Sequence, residues 1–277
     1  FPSRLNIFPV VQYEPSFQNL VKARQKAIVI GMSIEGGGVV PDTQISPEEY
    51  EWIEPTSINR RLIFNIVNFD FKLTSNYASN LTVLAAQDLS DQNAAILSTK
   101  TFLDTLGLFP PDIDLEKTKN PTFNDNPVSF YTTPKLFTIN KNSGILIPET
   151  SVAKAQAIRV DIYQKDIGYD LNTGESENSI IKTTPIKVPI LYPHPPYSTM
   201  NFLVASGPNE IRVVESNFIH QEVNLITEVD ATYPIKSADE AFTELKAGKG
   251  YIAAYSGSDS QVLINNIYLA YYLGEKR

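Results

Sequence analysis

The stretch SADEAFTELKAGKGYIAAYSGSDSQVLINNIYLAYY, residues 237–272, predicts a helix, a strand, a turn and a second strand in succession. Ser237 and Glu240 have the spacing of a capping box, in which each side chain satisfies a backbone N–H group of the first helical turn. Gly248 can take the left-handed conformation that ends a helix. One apolar helix face has residues at helical spacing: Ala238, Ala241, Phe242 and Leu245. Two strands are predicted after the helix, at Tyr251–Tyr255 and Val262–Tyr272.

The composition limits the classes of protein that the chain can be. A length of 277 residues predicts two or three compact units, and 42% hydrophobic residues are enough to build real cores. A net charge of −8 argues against a nucleic-acid surface, which needs clustered Lys and Arg. The absence of cysteine excludes disulfides, zinc-thiolate sites and thiol nucleophiles.

Membrane and targeting signals are weak in this sequence. No apolar run approaches the roughly 18–20 residues of a membrane helix, and no basic segment precedes an apolar one at the start. The chain begins at Phe1 without an initiator Met. We therefore expect either a processed chain or a chain trimmed behind a membrane anchor.

Two amphipathic helices are predicted in the first half of the chain. The first spans Ser16–Met32, and the second begins near Asp91 and ends at Gly107. The predicted core face of the first helix comprises Phe17, Leu20, Val21, Ala27 and Ile28. That of the second comprises Ala95, Thr99, Phe102, Leu103 and Leu106. The segment Phe109–Pro127 is rich in Pro, Asp and Asn and predicts a long surface loop.

An internal repeat divides the first half into two modules. The segments LIFNIVNFDFKL (62–73) and KLFTINKNSGILI (135–147) follow the two helices in the same place, which indicates a repeat of roughly 60 residues. The chain after residue 150 is rich in predicted strands. We therefore predict three domains, at 1–87, 88–150 and 151–277. The predicted class is α+β, with antiparallel sheets each covered by one helix.

The terminal motif resembles a known family. The segments SADEAFTELKAGKGYIA and VLINNIYLAYYLG look like the end of YycH/YycI-type extracytoplasmic regulatory domains, where a capped helix feeds a strand pair finishing in aromatic residues. The earlier modules, notably INKNSGILI, are similar to the PepSY-like fold, in which a hydrophobic-x-Asn/Asp…Gly turn joins two strands. The motif-level resemblance covers Pro234–Gly274, and residues 1–150 share only a looser topological likeness.

The resemblance implies a membrane-tethered domain outside the cytoplasm that binds another protein, a sensor kinase in the regulators, and carries no catalytic residues. Chains of this type usually continue beyond the Tyr-Tyr pair into a further strand, whereas this chain stops at Arg277. We expect either that the last strand was trimmed or that the sheet edge is open. An open edge can accept a strand from a partner.

The histidines and one serine are the candidates for nucleophilic or metal chemistry. His194 lies between prolines and is expected in a surface loop, and His220 is expected in a strand with a structural role. Zinc binding needs several convergent ligands, which the two distant histidines do not supply. A Ser-His-Asp arrangement stays open, although Gly31-Met32-Ser33 lacks the spacing of a nucleophile elbow. Ser33 is therefore interpreted as helix-terminal.

Three alternating carboxylates raise the possibility of calcium binding. In an extended segment, Asp112, Asp114 and Glu116 would share one side. A calcium loop of the EF-hand type starting at Asp112 needs Gly and Glu where Lys117 and Phe123 stand. A solvated acidic loop is the simpler interpretation, and whether these carboxylates bind calcium is left open.

The remaining motifs have structural interpretations. Gly36–Gly38 lacks the spacing of a phosphate-binding loop, and Asp170–Gly174 is interpreted as a hairpin turn. Pro193 and Pro196 stand three apart, which fits either a polyproline II surface or an extended strand connector. Asn80 begins a glycosylation sequon that carries no weight without a secretory context.

The leading expectation is a non-enzymatic, extracytoplasmic protein, membrane-anchored or secreted, that binds or regulates another protein of the bacterial cell envelope. No catalytic, cofactor-binding or metal-binding residue is assigned, and no cofactor or nucleic-acid partner is expected. Two alternatives stay open: a hydrolase with carboxylates or a Ser/His pair in a cleft between modules, and a structural surface spacer. The partner, any ligand and the oligomeric state are left open.

Overall fold

A computed structural model describes the following residues: 4–6, 8–34, 38–39, 41–54, 59–85, 89, 91–120, 122–123, 126–127, 131–169, 186–206, 211–224, 232–250, 263–264 and 267–274. The chain forms two compact units. The first unit comprises Phe1–Val11, Gln164–Pro195 and Gln221–Arg277, and the second comprises Gln12–Tyr163 and Pro196–His220. The domain boundary predicted after residue 150 lies inside the second unit.

The described ranges contain these helices: α1 (Phe17–Val29), α2 (Leu81–Ala85), α3 (Gln92–Leu106), α4 (Leu115–Lys119), α5 (Ala238–Lys246) and the single-turn 3₁₀ helices Tyr77–Ser79 and Val152–Lys154. They contain these strands: β1 (Arg4–Asn6), β2 (Ser33–Ile34), β3 (Gly38–Val39), β4 (Thr43–Gln44), β5 (Glu49–Ile53), β6 (Arg61–Asn65), β7 (Phe71–Thr74), β8 (Ile113–Asp114), β9 (Thr122–Phe123), β10 (Asn126–Pro127), β11 (Lys135–Ile139), β12 (Leu146–Glu149), β13 (Ala157–Asp161), β14 (Tyr163–Gln164), β15 (Ile167–Tyr169), β16 (Ile186–Val188), β17 (Ile190–Leu191), β18 (Met200–Ser206), β19 (Ile211–Phe218), β20 (Thr232–Pro234) and β21 (Tyr271–Tyr272). None of these helices is long and apolar enough to span a membrane.

One large sheet organises the second unit. Within the described ranges it has nine strands in the order β12-β11-β13-β18-β19-β7-β6-β5-β4, and all neighbours run antiparallel. The strands before residue 150 and those after it belong to the same sheet. The chain is therefore an α+β protein with antiparallel sheets, as predicted.

The face of the large sheet toward α3 carries a row of aromatic rings. Trp52, Phe64 and Phe71 stand on β5, β6 and β7, and consecutive centroids are 6.2 and 5.2 Å apart. Phe71 stacks on Phe218 of β19 at 5.0 Å, and Phe102 of α3 lies 6.1 Å from Phe71. Side chains alternate between the two faces of a strand, so these rings share one face and the residues between them share the other. The row forms the core between the sheet and the helix.

Helix α3 matches its prediction closely. Asp91 caps its start by accepting a hydrogen bond from the backbone N–H of Ala94 at 2.6 Å, and Gly107 ends it in the left-handed conformation, with φ of 60°. The buried face comprises Ala95, Ile96, Thr99, Leu103 and Leu106. The helix packs on β13, β18 and β19.

The predicted core face of α1 was only partly right. Leu20 and Ala27 are buried as predicted. Val21 and Ile28, however, are 41% and 40% exposed. The buried stripe instead includes Ala23, because the spacing i, i+3, i+7 from Leu20 follows the helical period more closely. Helix α1 therefore leaves large apolar side chains on its outer side.

The two segments predicted as a repeat form similar hairpins. In the β6–β7 hairpin, the side-chain oxygen of Asn65 accepts hydrogen bonds from the backbone N–H groups of Val67 and Asn68 at 2.8 and 3.3 Å. In the β11–β12 hairpin, Asn140 accepts hydrogen bonds from the N–H groups two and three residues on, at 3.0 and 3.2 Å. Each turn is therefore started by an asparagine that mimics a backbone turn.

The prediction of a surface loop over Phe109–Pro127 was wrong for part of the segment. It contains α4, whose Lys117 and Thr118 are buried. The Thr118 hydroxyl donates to the backbone carbonyl of Asp161 at 2.9 Å, which ties the segment to β13. The Pro, Asp and Asn content was misleading because Asp114 serves as a helix cap rather than as a solvated side chain.

The terminal segment in the first unit confirms one prediction and corrects another. The capping box is present, since Ser237 and Glu240 exchange hydrogen bonds with each other's backbone N–H groups at 2.8 and 3.2 Å. The long strand predicted to end at Tyr272 is wrong among its described residues, because only Tyr271–Tyr272 form a strand. That strand pairs in parallel with β17 rather than with an antiparallel neighbour. Residues 251–262 lie outside the described ranges.

We predict that core and exposed leucines of α3 differ sharply in their effect on stability. Leu103 is fully buried, so Leu103→Ala is expected to lower the free energy of unfolding by about 2–5 kcal/mol through the cavity it leaves. Leu97 on the same helix is 63% exposed, so Leu97→Ala is expected to change the free energy of unfolding by about 0.5 kcal/mol or less. Urea titration followed by the fluorescence of the buried Trp52 measures both. Equal losses in the two variants would contradict the described face of α3.

Candidate functional site

A groove of about 720 Å³ lies along one flank of α3 in the second unit. Its α3 residues recur every three or four positions, which places them on one side of the helix. They are Ala94, Leu97, Ser98, Thr101, Phe102 and Thr105. The end of α1 contributes Val29, Ile30 and Gly31, and the sheet contributes Arg60, Arg212 and Val213. We refer to this surface as the α3 groove.

Two large apolar side chains of the α3 groove are accessible to solvent. Leu97 is 63% exposed and Val29 is 53% exposed. Phe102 is half-buried and belongs to the aromatic row, and Val213 is 6% exposed. A volume of this size lies within the range of about 300–1,000 Å³ that is typical of ligand pockets. The groove therefore has the size and surface of a binding site.

The charged residues among the described lining of the α3 groove are both arginines. Arg60 precedes β6, and its Nε donates to the carboxylate of Glu54, which is itself only 9% exposed. The guanidinium lies against Gly31, since a Cβ atom placed on Gly31 would be 2.9 Å from Arg60 Nη2. Gly31 also has φ of 84°, a conformation that residues with a Cβ rarely adopt. Glycine thus allows the end of α1 to approach Arg60 closely.

His220 forms the second candidate site of this unit. Its Nε2 atom lies 3.0 and 3.1 Å from the two carboxylate oxygens of Asp112. The imidazole stacks on Phe218 with ring centroids 6.2 Å apart, and its side chain is 14% exposed. The backbone N–H of His220 donates to Asp70 Oδ1 at 3.1 Å. A carboxylate on one ring nitrogen fixes the tautomer and the orientation of the imidazole, as general-base histidines require.

His220 lies just after a strand and not within one. The strand prediction was wrong at this residue, because β19 ends at Phe218. The contact between His220 and Asp112 was not predicted. Nothing in the local sequence of the proline-rich segment around Asp112 indicates which distant residue Asp112 contacts. His194, the other histidine, is exposed, as expected for a surface loop. Pro193–Pro196 forms a bend and a turn, so the expectation of an extended segment was wrong there.

The carboxylates considered for calcium binding have separate partners. Asp112 contacts His220, and Asp114 accepts a hydrogen bond from the backbone N–H of Glu116 at 3.0 Å. Glu116 in turn accepts one from Lys119 Nζ at 2.9 Å. Across the described part of the chain, no group of three or more His, Asp or Glu side chains is placed to hold a metal ion.

The other sequence candidates lie elsewhere. Ser33 is in β2, which pairs with β3, so its assignment to a helix end was wrong: α1 ends at Val29. The side chain of Asn80, from the sequon, accepts hydrogen bonds from the N–H groups of Thr82 and Val83 at 2.9 and 3.2 Å, as a helix cap does. Gly36, Gly37 and the turn at 170–174 lie outside the described residues.

The opposite face of the large sheet carries a hollow of about 220 Å³ with charged and amide side chains in its lining. Its lining includes Lys72, Arg159, Asn201, Glu215 and Asn217. Burial raises the pKa of Glu215, against the opposing effect of Lys72. Burial and the charge of Glu215 raise the pKa of Tyr77 to about 12. This hollow is about a third the volume of the α3 groove, so it has less room for a ligand.

Comparisons with known proteins identified no relative: no family model, curated protein or solved structure matches the chain. The likeness to YycH/YycI-type and PepSY-like domains therefore stays a prediction from the motifs that suggested it. The α3 groove and the His220–Asp112 pair are the features from which a function can be argued.

We predict that Glu215 makes the second unit less stable as the pH rises. The pKa of Glu215 is near 4.5 in the unfolded chain and is raised in the folded unit, so the folded unit keeps the carboxyl proton to a higher pH. The free energy of unfolding therefore falls as the pH rises from about 4.5 through the raised pKa. Glu215→Gln is expected to remove this decline and to be more stable than the wild type at pH 7. The two proteins are expected to be equal near pH 4.

Glu149 provides a control of opposite sign for this pH dependence. The backbone N–H groups of Ser151 and Thr150 lower the pKa of Glu149, so its contribution to stability is present at pH 7 and is lost as the pH falls. Glu149→Gln is therefore expected to be less stable than the wild type at pH 7. Urea titrations between pH 4 and pH 8 measure both effects. A shift of the same sign in both variants would contradict the assigned causes.

Proposed function

We propose that the chain is a non-enzymatic protein-binding module and that the α3 groove is its binding surface. The exposure of Leu97 carries this proposal. Helix α3 buries Ile96, Leu103 and Leu106 in the core, so an exposed Leu97 contributes little to the stability of the unit. Its burial against a partner contributes about 1.5–3 kcal/mol. Exposed apolar side chains grouped beside a groove are typical of interaction sites.

The shape of the groove favours a segment of a partner protein as the occupant. The lining residues from Ala94 to Thr105 extend over roughly 17 Å of helix, since each residue adds about 1.5 Å. Amphipathic segments commonly bind in apolar grooves of this kind, with a few large side chains inserted. The hydroxyl groups of Ser98, Thr101 and Thr105 provide polar contacts along the same flank.

The cellular setting of the proposal comes from the terminal motif. The capped helix at Ser237 belongs to the segment that resembles YycH/YycI-type domains, and that family supplies the envelope location and the membrane tether. We also propose that the helix-and-hairpin segments are PepSY-like modules. The matching turns at Asn65 and Asn140 support this repeat.

The binding proposal predicts a partner that crosslinks from the groove. The chain has no cysteine, so Thr101→Cys introduces a single thiol on the groove flank for a benzophenone maleimide. Asn142→Cys, on the exposed turn between β11 and β12, is the matched control. In an envelope extract of the source organism, the Thr101 label is expected to capture a discrete protein that the Asn142 label does not.

A second substitution tests whether the groove itself makes the contact. Leu97→Asp in the Thr101→Cys background is expected to reduce that adduct about tenfold, because a charge replaces the apolar contact. The proposal would be contradicted if the Thr101→Cys protein, the Asn142→Cys protein and the Leu97→Asp variant of the Thr101→Cys protein all gave the same adducts. A structural spacer predicts that outcome.

The hydrolase alternative is favoured by one observation, the contact between His220 and Asp112. It requires hydrolysis of an activated ester such as p-nitrophenyl acetate above the buffer rate. It also requires that His220→Asn lowers the rate of this hydrolysis by about 10²–10⁴-fold, which is the usual contribution of a general base to the rate. His194→Asn is the control for reaction at a surface imidazole. The binding proposal predicts that neither substitution changes a rate that stays at background.

A further inference from the structure

We infer that the α3 groove leads to a hydrogen-bonding subsite behind Phe102, and that this subsite takes a tyrosine side chain of the partner segment. The inference rests on the proposed binding function and names the side chain that anchors the partner. Its starting point is two buried hydroxyl groups, those of Thr99 and Ser216, which have no hydrogen-bond partner in the part of the chain that the structure describes. Buried polar groups are nearly always hydrogen-bonded, and leaving one unsatisfied costs free energy.

Ser216 lies on the face of β19 that forms the floor of the groove. It pairs with Phe202 of β18, whose ring centroid is 6.4 Å from that of Phe102 on α3. Val213 of the groove lining pairs with Val204, which lies two residues from Phe202 and therefore on the same face of β18. Because paired residues share a face, Ser216 and Val213 both face α3. Ser216 thus continues the groove floor one step deeper along the strand.

The ring of Phe102 covers this deeper position. Its centroid lies 6.1 Å from that of Phe71 on β7 and 6.4 Å from that of Phe202 on β18, the strands on either side of β19. Those strands are roughly 10 Å apart, so the ring lies over β19, where Ser216 stands. Thr99 precedes Phe102 by one turn of α3 and is fully buried. Phe102 itself is half-buried and lines the groove, so its ring stands between the groove and the two hydroxyls.

A tyrosine of the partner meets both requirements of this subsite. When Phe102 turns outward, the tyrosine ring can replace it among the aromatic rings of the sheet, and rotamer changes of this kind are common at interfaces. The phenolic hydroxyl donates and accepts hydrogen bonds, so it can bond to a serine and a threonine hydroxyl. Phenylalanine would fill the same space and leave both hydroxyls unsatisfied. The subsite therefore selects tyrosine over phenylalanine.

The partner is unidentified, so the first test uses p-cresol and toluene, which correspond to the side chains of tyrosine and phenylalanine. Phe102→Ala in the intact chain empties the place of the ring for these probes, and titration calorimetry measures their dissociation constants. We expect p-cresol to bind more tightly than toluene. An apolar cavity gives the opposite order, because the phenolic hydroxyl loses its hydration there. Adding Thr99→Val and Ser216→Ala is therefore expected to shift the ratio of the two constants about tenfold toward toluene.

The second test does not require the Phe102 substitution. Thr99→Val and Ser216→Ala are introduced together into the Thr101→Cys protein, and the yield of its specific adduct is expected to fall about tenfold. The urea midpoint is expected not to fall, because the two substitutions remove hydroxyls that have no partner to lose. That control separates a lost contact with the partner from a loss of folding.

A shifted probe ratio together with a reduced adduct supports the inference. An unchanged probe ratio, or a toluene preference already present in Phe102→Ala, would overturn it. A specific Thr101 adduct of unchanged yield after removal of both hydroxyls refutes the inference and leaves the proposed function standing. The absence of any specific adduct from the Thr101→Cys protein itself refutes the proposed function, and the inference with it.

Discussion

The pairing of β7 with β19 is the constraint on which the second unit depends. It stacks Phe71 on Phe218 at 5.0 Å and joins the first hairpin to strands more than a hundred residues later in the sequence. Neighbouring rings extend this contact to Trp52 in one direction and to Phe102 of α3 in the other. Because aromatic rings bury large apolar areas, a shift of register here would turn the row away from the helix and expose it. The position of α3, and with it one wall of the groove, follows from this pairing.

Both candidate sites are consequences of the same pairing. Val213 of β19 lines the α3 groove, and His220 meets Asp70 because the chain leaves β19 beside the start of β7. The groove itself arises from the size of the sheet. Nine strands span roughly 38 Å, whereas a helix with its side chains is about 10 Å wide. Helices α1 and α3 lie side by side and cannot cover so wide a face, so one flank of α3 is left accessible.

Local features of this fold could be predicted from the sequence, and distant contacts could not. The caps at Asp91, Gly107 and Ser237 are correct because a cap depends on residues within one turn of the helix. The turns at Asn65 and Asn140 are local features too, because each asparagine bonds N–H groups two and three residues further on. The order of the strands requires knowing that Phe71 meets Phe218, and alternation alone does not specify a partner. Leu97 was the one residue whose position in the sequence indicated the groove, because it lies outside the helix face that the spacing of α3 buries. No local sequence pattern indicates that Arg60 or Arg212 lines the groove.

The edges of the large sheet favour recognition through side chains over strand addition. Among the described residues, one edge strand is β4, which has only two residues, and the other is β12. Asn140 N donates a hydrogen bond to Ile145 O, so these two residues form a hydrogen-bonded pair of the β11–β12 ladder. Hydrogen-bonded and non-hydrogen-bonded pairs alternate along an antiparallel ladder. Phe137 and Pro148, three pairs further on, therefore form a non-hydrogen-bonded pair. The nitrogen of Pro148 therefore faces outward, where proline has no N–H to offer an added strand. A partner gains few backbone hydrogen bonds at either edge, and the exposed Leu97 of the α3 groove offers it more.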